Sequence, residues 1–219
     1  MFVGQITSIE DLEQAAAGAA MEPVQLSGGA VRGELLFTPL DDCVLSYGCY
    51  SGDVSTSGTF CDHDVTFGIL IGCGESTVCS MPVRSGTFGV FPAGFDHQAI
   101  YRGGTDYLLF KIAPETLLTL AAQEGYRLSA RALATPKLYQ PPKLWGRFLC
   151  QRARYMVDQL RQHPGHAEHP MVSRFLRNEL ARLAVTSLAS VDVARLPRED
   201  RLANSGKTLK LVQEWLHEH

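Results

Sequence analysis

The arrangement of apolar and polar positions divides the chain into a strand-rich first half and a helix-rich second half. From Val24 to Ile112 the period is two. Leu35 and Phe37 alternate with Glu34 and Leu36, and Leu45, Tyr47 and Cys49 with Ser46 and Gly48. Val65, Phe67, Ile69 and Ile71 alternate with Thr66 and Gly68. Such alternation puts successive side chains on opposite faces of a pleated strand. The runs are punctuated by Ser27-Gly28-Gly29, Pro39-Leu40-Asp41-Asp42, Ser51-Gly52-Asp53, Gly72-Cys73-Gly74 and Arg102-Gly103-Gly104, all rich in turn-forming residues. Tyr107 to Ile112 reads as a last strand, apolar on both faces. Short strands at this spacing predict a barrel or sandwich.

Helical spacing takes over around these strands. Ile9 to Met21 reads as a short helix with Ser8 as N-cap. Pro114 opens another, carrying Leu117, Leu118 and Leu120 and stopped by Gly125. Arg127 to Pro142 is irregular. Two longer helices follow. Lys143 to Gln162 sets Trp145, Phe148, Leu149, Met156 and Leu160 at helical spacing. Pro170 to Ser190 sets Val172, Phe175, Leu176, Leu180, Leu183, Ala184 and Leu188 on one side, with Arg174, Arg177, Asn178 and Arg182 on the other. Leu196 to Asn204 reads as a charged linker. A final amphipathic helix from Ser205 carries Leu209, Val212 and Leu216, and no following element covers them or Trp215. The expectation is that the natural protein continues past His219.

One stretch is more specific than the periodicity. Gly86 to Tyr101 runs from an apolar strand (Phe88, Val90, Phe91) through a Pro92-Ala93-Gly94 turn into a second strand starting at His97. Pro presets φ and Gly permits φ > 0, so the turn has a physical basis. The spacing of Gly86, Pro92, Gly94 and His97 matches the second motif of the cupins, and Tyr101 stands where that motif has Asn. The stretch resembles the small antiparallel barrel of that superfamily. The expected fold class is α+β, a cupin-like antiparallel β-barrel followed by an antiparallel helix pair.

The element order and three stretches then resemble the AraC/XylS family of bacterial transcription regulators. Pro23 to Leu35 is similar to the entry strand of the branch near ethanolamine regulators. Leu108 to Leu120 is similar to the barrel exit followed by a Pro-started helix. Lys207 to Leu216 looks like the opening helix of the family's DNA-binding domain. The resemblance implies an effector-binding barrel with flanking helices over residues 1–126 and a helical dimerisation region over 127–195. Residues 196–219 become a linker and the first helix of a truncated helix-turn-helix domain. It further implies a cytoplasmic homodimer that binds a small-molecule effector and reaches DNA only through a C-terminal domain not present in these residues.

Composition constrains this reading in two ways. The net charge of −3 hides a division: residues 1–126 carry four Lys/Arg against fifteen Asp/Glu, and residues 127–182 carry eleven against three. A basic helical segment of this kind either lies near nucleic acid or faces its own acidic domain. The six cysteines contain no CxxC pair, no signal peptide is read in the acidic Met1 to Gln14, and no run is long enough to span a membrane. Reduced thiols are expected, including Cys73 and Cys79.

No nucleophile triad, phosphate loop or dinucleotide fingerprint occurs, which leaves the barrel interior as the functional surface. Tyr47, Phe67, His97 and Tyr101 are the expected ligand contacts, from an interior that also offers Phe37, Ile69 and Phe91. Each assignment depends on register, because a slip of one residue inverts a strand. No cofactor or metal is expected. Metal-binding cupins use an earlier His-x-His, and here Asp62-His63-Asp64 alternates across a strand. The alternative reading is a metal-dependent cupin enzyme using His63, Glu75 and His97, and a third is a dimeric scaffold with a filled barrel. His163, His166, Glu168 and His169 fall in a Pro/Gly-marked turn and are read as solvated. Phe148, Val172, Leu176, Leu180 and Leu183 are the expected dimerisation residues.

Overall fold

The computed structural model describes residues 1–14, 19–123, 126 and 128–190. The linker and final helix read from the sequence lie outside the described residues, as does Gly125. The fold is α+β. Among the described residues, twelve antiparallel strands form two facing sheets in a cupin-like arrangement, and a helix pair follows.

Strands β1 (Phe2–Ile6), β2 (Ala20–Gln25), β3 (Gly33–Leu40), β4 (Cys43–Tyr50), β5 (Val54–Thr59) and β6 (Val65–Cys73) come first. Then follow β7 (Ser76–Val78), β8 (Met81–Val83), β9 (Phe88–Phe91), β10 (Asp96–Tyr101), β11 (Thr105–Ile112) and, after two helices, β12 (Lys137–Tyr139). One sheet has the order β1-β3-β4-β11-β6-β9-β12, and the other β2-β5-β10-β7-β8. The helices are α1 (Pro114–Gln123), α2 (Ala130–Leu133), α3 (Lys143–Gln162) and α4 (Pro170–Ser190). A 3-10 turn, Pro164–Glu168, joins α3 to α4, and Arg152 and Glu179, each near the middle of its helix, are bridged at 2.5 Å. That pairing gives the two helices opposite directions.

The seven-stranded sheet is buried on both faces at its centre, while its edge strand β1 is largely exposed. One face carries Leu36, Leu45, Phe67, Phe88, Leu108 and Phe110, packed with Leu149, Met156, Leu160, Leu180 and Ala184 of the helix pair. Phe67 stacks between Phe110 at 5.0 Å and Phe88 at 5.8 Å. The other face, with Leu35, Tyr50, Leu70, Phe91 and Tyr107, packs with Val54, Val78 and Ala99 of the second sheet.

The acidic first half and basic second half meet in ion pairs. Arg161, in the last turn of α3, donates to Glu34 on β3 at 2.7 Å, and its guanidinium lies 4.9 Å from the Tyr47 ring centre. Arg154 reaches Asp106 at 3.4 Å. Arg177 of α4 donates to Asp41 at 2.9 Å, and its Nε lies 3.1 Å from Asp42 without hydrogen-bond geometry. Of the two sequence readings of the basic segment, this geometry uses the one in which it faces its own acidic domain.

Two elements differ from expectation. Ile9 to Met21 is not one helix: a 3-10 turn spans Glu10–Gln14, and Met21 already lies in β2. The Asp11 carboxylate accepts from the backbone N–H groups of Thr7 and Ser8 at 2.7 and 3.0 Å, which closes a tight turn. From Ala20 the chain pairs with β5, so sheet hydrogen bonding overrides alanine's helical preference. The stretch read as irregular contains α2 and β12, which extends the sheet beyond β9.

Gly86 has a positional reason. Its φ is +87°, and a Cβ there would stand 2.7 Å from the Gly146 backbone of α3. At Gly146 an added Cβ meets nothing closer than 3.5 Å. Gly86→Ala should therefore destabilise the fold by more than about 1 kcal/mol, since it adds strain and displaces α3. Gly146→Ala should be neutral or stabilising, by up to about 1 kcal/mol of helix propensity. Urea midpoints of both variants test the asymmetry, and equal losses would contradict it.

Candidate functional site

Between the two sheets lies an apolar cavity. Its wall is made by Leu12 from the 3-10 turn, by Phe60, and by strand residues that include Tyr50, Thr56, Gly68, Leu70, Phe91, His97, Tyr101, Tyr107, Leu109 and Leu138. Its volume is about 60 Å³. A cavity of about 150 Å³ holds benzene, so this one has room for a single small molecule.

The strand register explains why space remains here. Gly68 of β6 and Gly89 of β9 are directly paired, and both face the cavity. A Cβ at Gly89 would approach the Phe91 ring to 2.7 Å, and one at Gly68 would meet Leu109 at 3.0 Å. Two glycines side by side let the Phe91 ring lie flat on the sheet instead of rising into the cavity.

His97 is one of the polar side chains in the wall. It is 6% exposed, and its Nδ1 has no hydrogen-bond partner. The Phe60 and Phe91 rings flank it at 5.1 and 5.9 Å. Burial holds the imidazole well below its ordinary value, at about 4. Burial likewise pushes the Tyr50, Tyr101 and Tyr107 hydroxyls up, so each stays protonated. The wall has four titratable side chains and no formal charge at neutral pH.

Of the four expected ligand contacts, His97 and Tyr101 line the cavity. Tyr47 and Phe67 do not: they stand on the opposite face of the sheet, beneath the helices. Their neighbours in the chain, Ser46 and Gly68, take the other face, and Gly68 reaches the cavity. Both expectations are corrected by parity, because that sheet is apolar on each side. Phe91 and Ile69, which the sequence offered as interior residues, line the cavity, whereas Tyr50, Tyr107 and the glycine pair were not among the expected contacts.

The alternative metal triad is not assembled. His63 and Glu75 are exposed while His97 is buried, and among the described residues no three His, Cys, Asp or Glu side chains form a group that could hold a metal ion. In the inter-helix turn the His163 and His166 rings stack at 4.6 Å, and Glu168 lies 3.8 Å from the amino terminus. Cys73 and Cys79 are part-buried, and burial raises both thiols.

The expected dimerisation residues separate into two groups. Leu180 and Leu183 are buried within the chain's own core and are not available to a partner. Leu176 is half-buried against that core, and Val172 is half-buried. Phe148 is exposed, and so are Leu144, Tyr155, Met171 and Phe175, which leaves an apolar outer surface on α3 and the start of α4. Among the described residues no helix is long and apolar enough to cross a membrane.

No protein-family model and no curated protein matches the sequence. Among solved structures, the AraC-like transcriptional activator CuxR has a similar fold. Its TM-score is 0.52 at 12% identity, over 89% of this chain and 72% of that one. A serine-to-alanine mutant of the Bacillus subtilis oxalate decarboxylase OxdC aligns over 56% of this chain and 37% of that one, with a TM-score of 0.28 and 14% identity. The fold is thus similar to that of an AraC-like activator over 89% of this chain.

His97 gives stability a defined pH dependence. In the unfolded chain the imidazole titrates near 6.5, and in the folded protein near 4. Its contribution is complete above pH 6.5 and is lost as pH falls toward 4, because only the unfolded chain takes up the proton. The gap corresponds to about 3 kcal/mol. Urea midpoints between pH 4 and 7.5 should fall more steeply for the parent than for His97→Gln, whereas matching slopes would contradict the assignment.

Proposed function

We propose that the chain is the effector-sensing and dimerisation part of a bacterial AraC-type transcriptional regulator acting in the cytoplasm. A small molecule in the cavity would control a C-terminal DNA-binding domain outside residues 1–219. The observation that carries this reading is the apolar cavity against one face of a sheet whose opposite face holds the helix pair. The same strands line the cavity and pack against the helices, so occupancy can bias the helices. The likeness to an activator extends over barrel and helices alike, which supports reading them as one unit.

Dimerisation is assigned to the exposed apolar surface of α3 and α4, with Phe148 and Phe175 as its largest side chains and Leu144 and Met171 beside them. A second copy would remove this surface from water. Arg154, Arg161 and Arg177 are committed to the strand layer, and specific DNA contact is left to the C-terminal domain.

Two measurements test the proposal. In sedimentation the parent should be a dimer at micromolar concentration, and Phe148→Asp with Phe175→Asp should be monomeric with its circular dichroism unchanged. A monomeric parent would remove the dimerisation part. In mobility shifts on the region upstream of its own gene, the chain with its native C-terminal continuation should bind selectively. Residues 1–219 should show only weak, salt-sensitive attraction. Selective binding by the short form would overturn the division of labour.

A further inference from the structure

The cavity is built for a particular electrical character of occupant. Its lining contains no Lys, Arg, Asp or Glu. The side chains able to hydrogen-bond are Tyr50 on β4, Thr56 on β5, His97 and Tyr101 on β10, Tyr107 on β11, and Thr87 just before β9. Cys73 and Cys79 pack around the same core as thiols. An ion entering this space would lose its hydration and meet no opposite charge, which is strongly unfavourable. An entirely apolar molecule would fill the space but leave His97 Nδ1 in its present condition, buried and without a partner. A buried polar atom of that kind carries a penalty that a suitable partner removes. Depending on the tautomer, Nδ1 either donates or accepts, and a hydroxyl can answer in both cases.

On the sensor reading above, we infer that the cavity takes one small, uncharged, mainly apolar molecule whose single hydroxyl hydrogen-bonds to His97. Gly68 and Gly89 set its size by keeping Phe91 flat against the sheet. His97 sets its polarity. The uncharged wall excludes carboxylates and amines of the same shape.

The test uses four probes of one skeleton: benzyl alcohol, toluene, benzoate and benzylammonium, measured by calorimetry and thermal shift on the whole chain at pH 7. Benzyl alcohol and toluene should bind, and each charged probe should be at least ~100-fold weaker than benzyl alcohol, since its charge would be buried unpaired. His97→Leu should weaken benzyl alcohol by several-fold to about tenfold, the loss of one hydrogen bond, and leave toluene within about threefold. Gly89→Ala keeps His97 and should weaken both neutral probes together, because it pushes Phe91 into the space they need. It serves as the second variant should His97→Leu fail to fold. Preferential binding of benzoate or benzylammonium overturns the inference and leaves the sensor reading standing. So does equal loss of toluene and benzyl alcohol in a folded His97→Leu. Binding by none of the four, or neutral binding unaffected by Gly89→Ala, overturns it and also removes the cavity from the sensor reading.

Discussion

The structure depends on one sheet being apolar on both sides. The strands β4, β11, β6 and β9 sit between a helix layer and a second sheet, and water reaches neither face of their centre. Every side chain there belongs to one of two cores. Parity along the strand decides which: Phe67, Leu108 and Phe110 go to the helices, while Gly68, Leu109 and Tyr107 go to the space between the sheets. Helices and cavity are therefore not separate modules joined by a linker. They are the two sides of one layer, one side chain thick in each direction.

The two sides are filled differently. Beneath the helices, aromatic rings stack in a row from Phe110 through Phe67 and Phe88 to Tyr139. Interiors packed in this way have little free volume and resist change. Between the sheets, two paired glycines interrupt the same strands and leave room. A rigid floor under a small cavity suits the selective holding of a ligand, because the surface against which it packs cannot readily sink.

This division explains what could be read in the sequence. Element types and the helix pair were legible because hydrophobic period depends only on the local chain. The turn at Pro92 and Gly94 was legible because its spacing is specific. Tyr47 and Phe67 went to the wrong face for a physical reason: period two reveals that positions alternate, and it names a side only when one face is polar. Leu180 and Leu183 pose the helical version of the problem, since an apolar stripe looks the same whether its own barrel or a second chain covers it. Met21 moved from helix to strand because pairing with β5 is long-range and leaves no mark in a local window. Similarly, the cavity comes from residues whose signal is the lack of a side chain.

The ion pairs between helices and barrel also have a geometric consequence. Asp106 and Glu34 lie in one cross-strand row, each opposite Cys49, whereas Asp41 sits at the far end of β3. Arg154, Arg161 and Arg177 grip these three places. Each exposed pair contributes little to stability, about 1 kcal/mol or less. Three attachment points that do not fall on a line nevertheless fix a body against rolling and pivoting, which two cannot do. The pairs act as alignment pins for a helix layer that apolar packing holds down but leaves freer to turn. Because salt screens partly exposed charges, ionic strength should loosen the angle of that layer well before it loosens the layer itself.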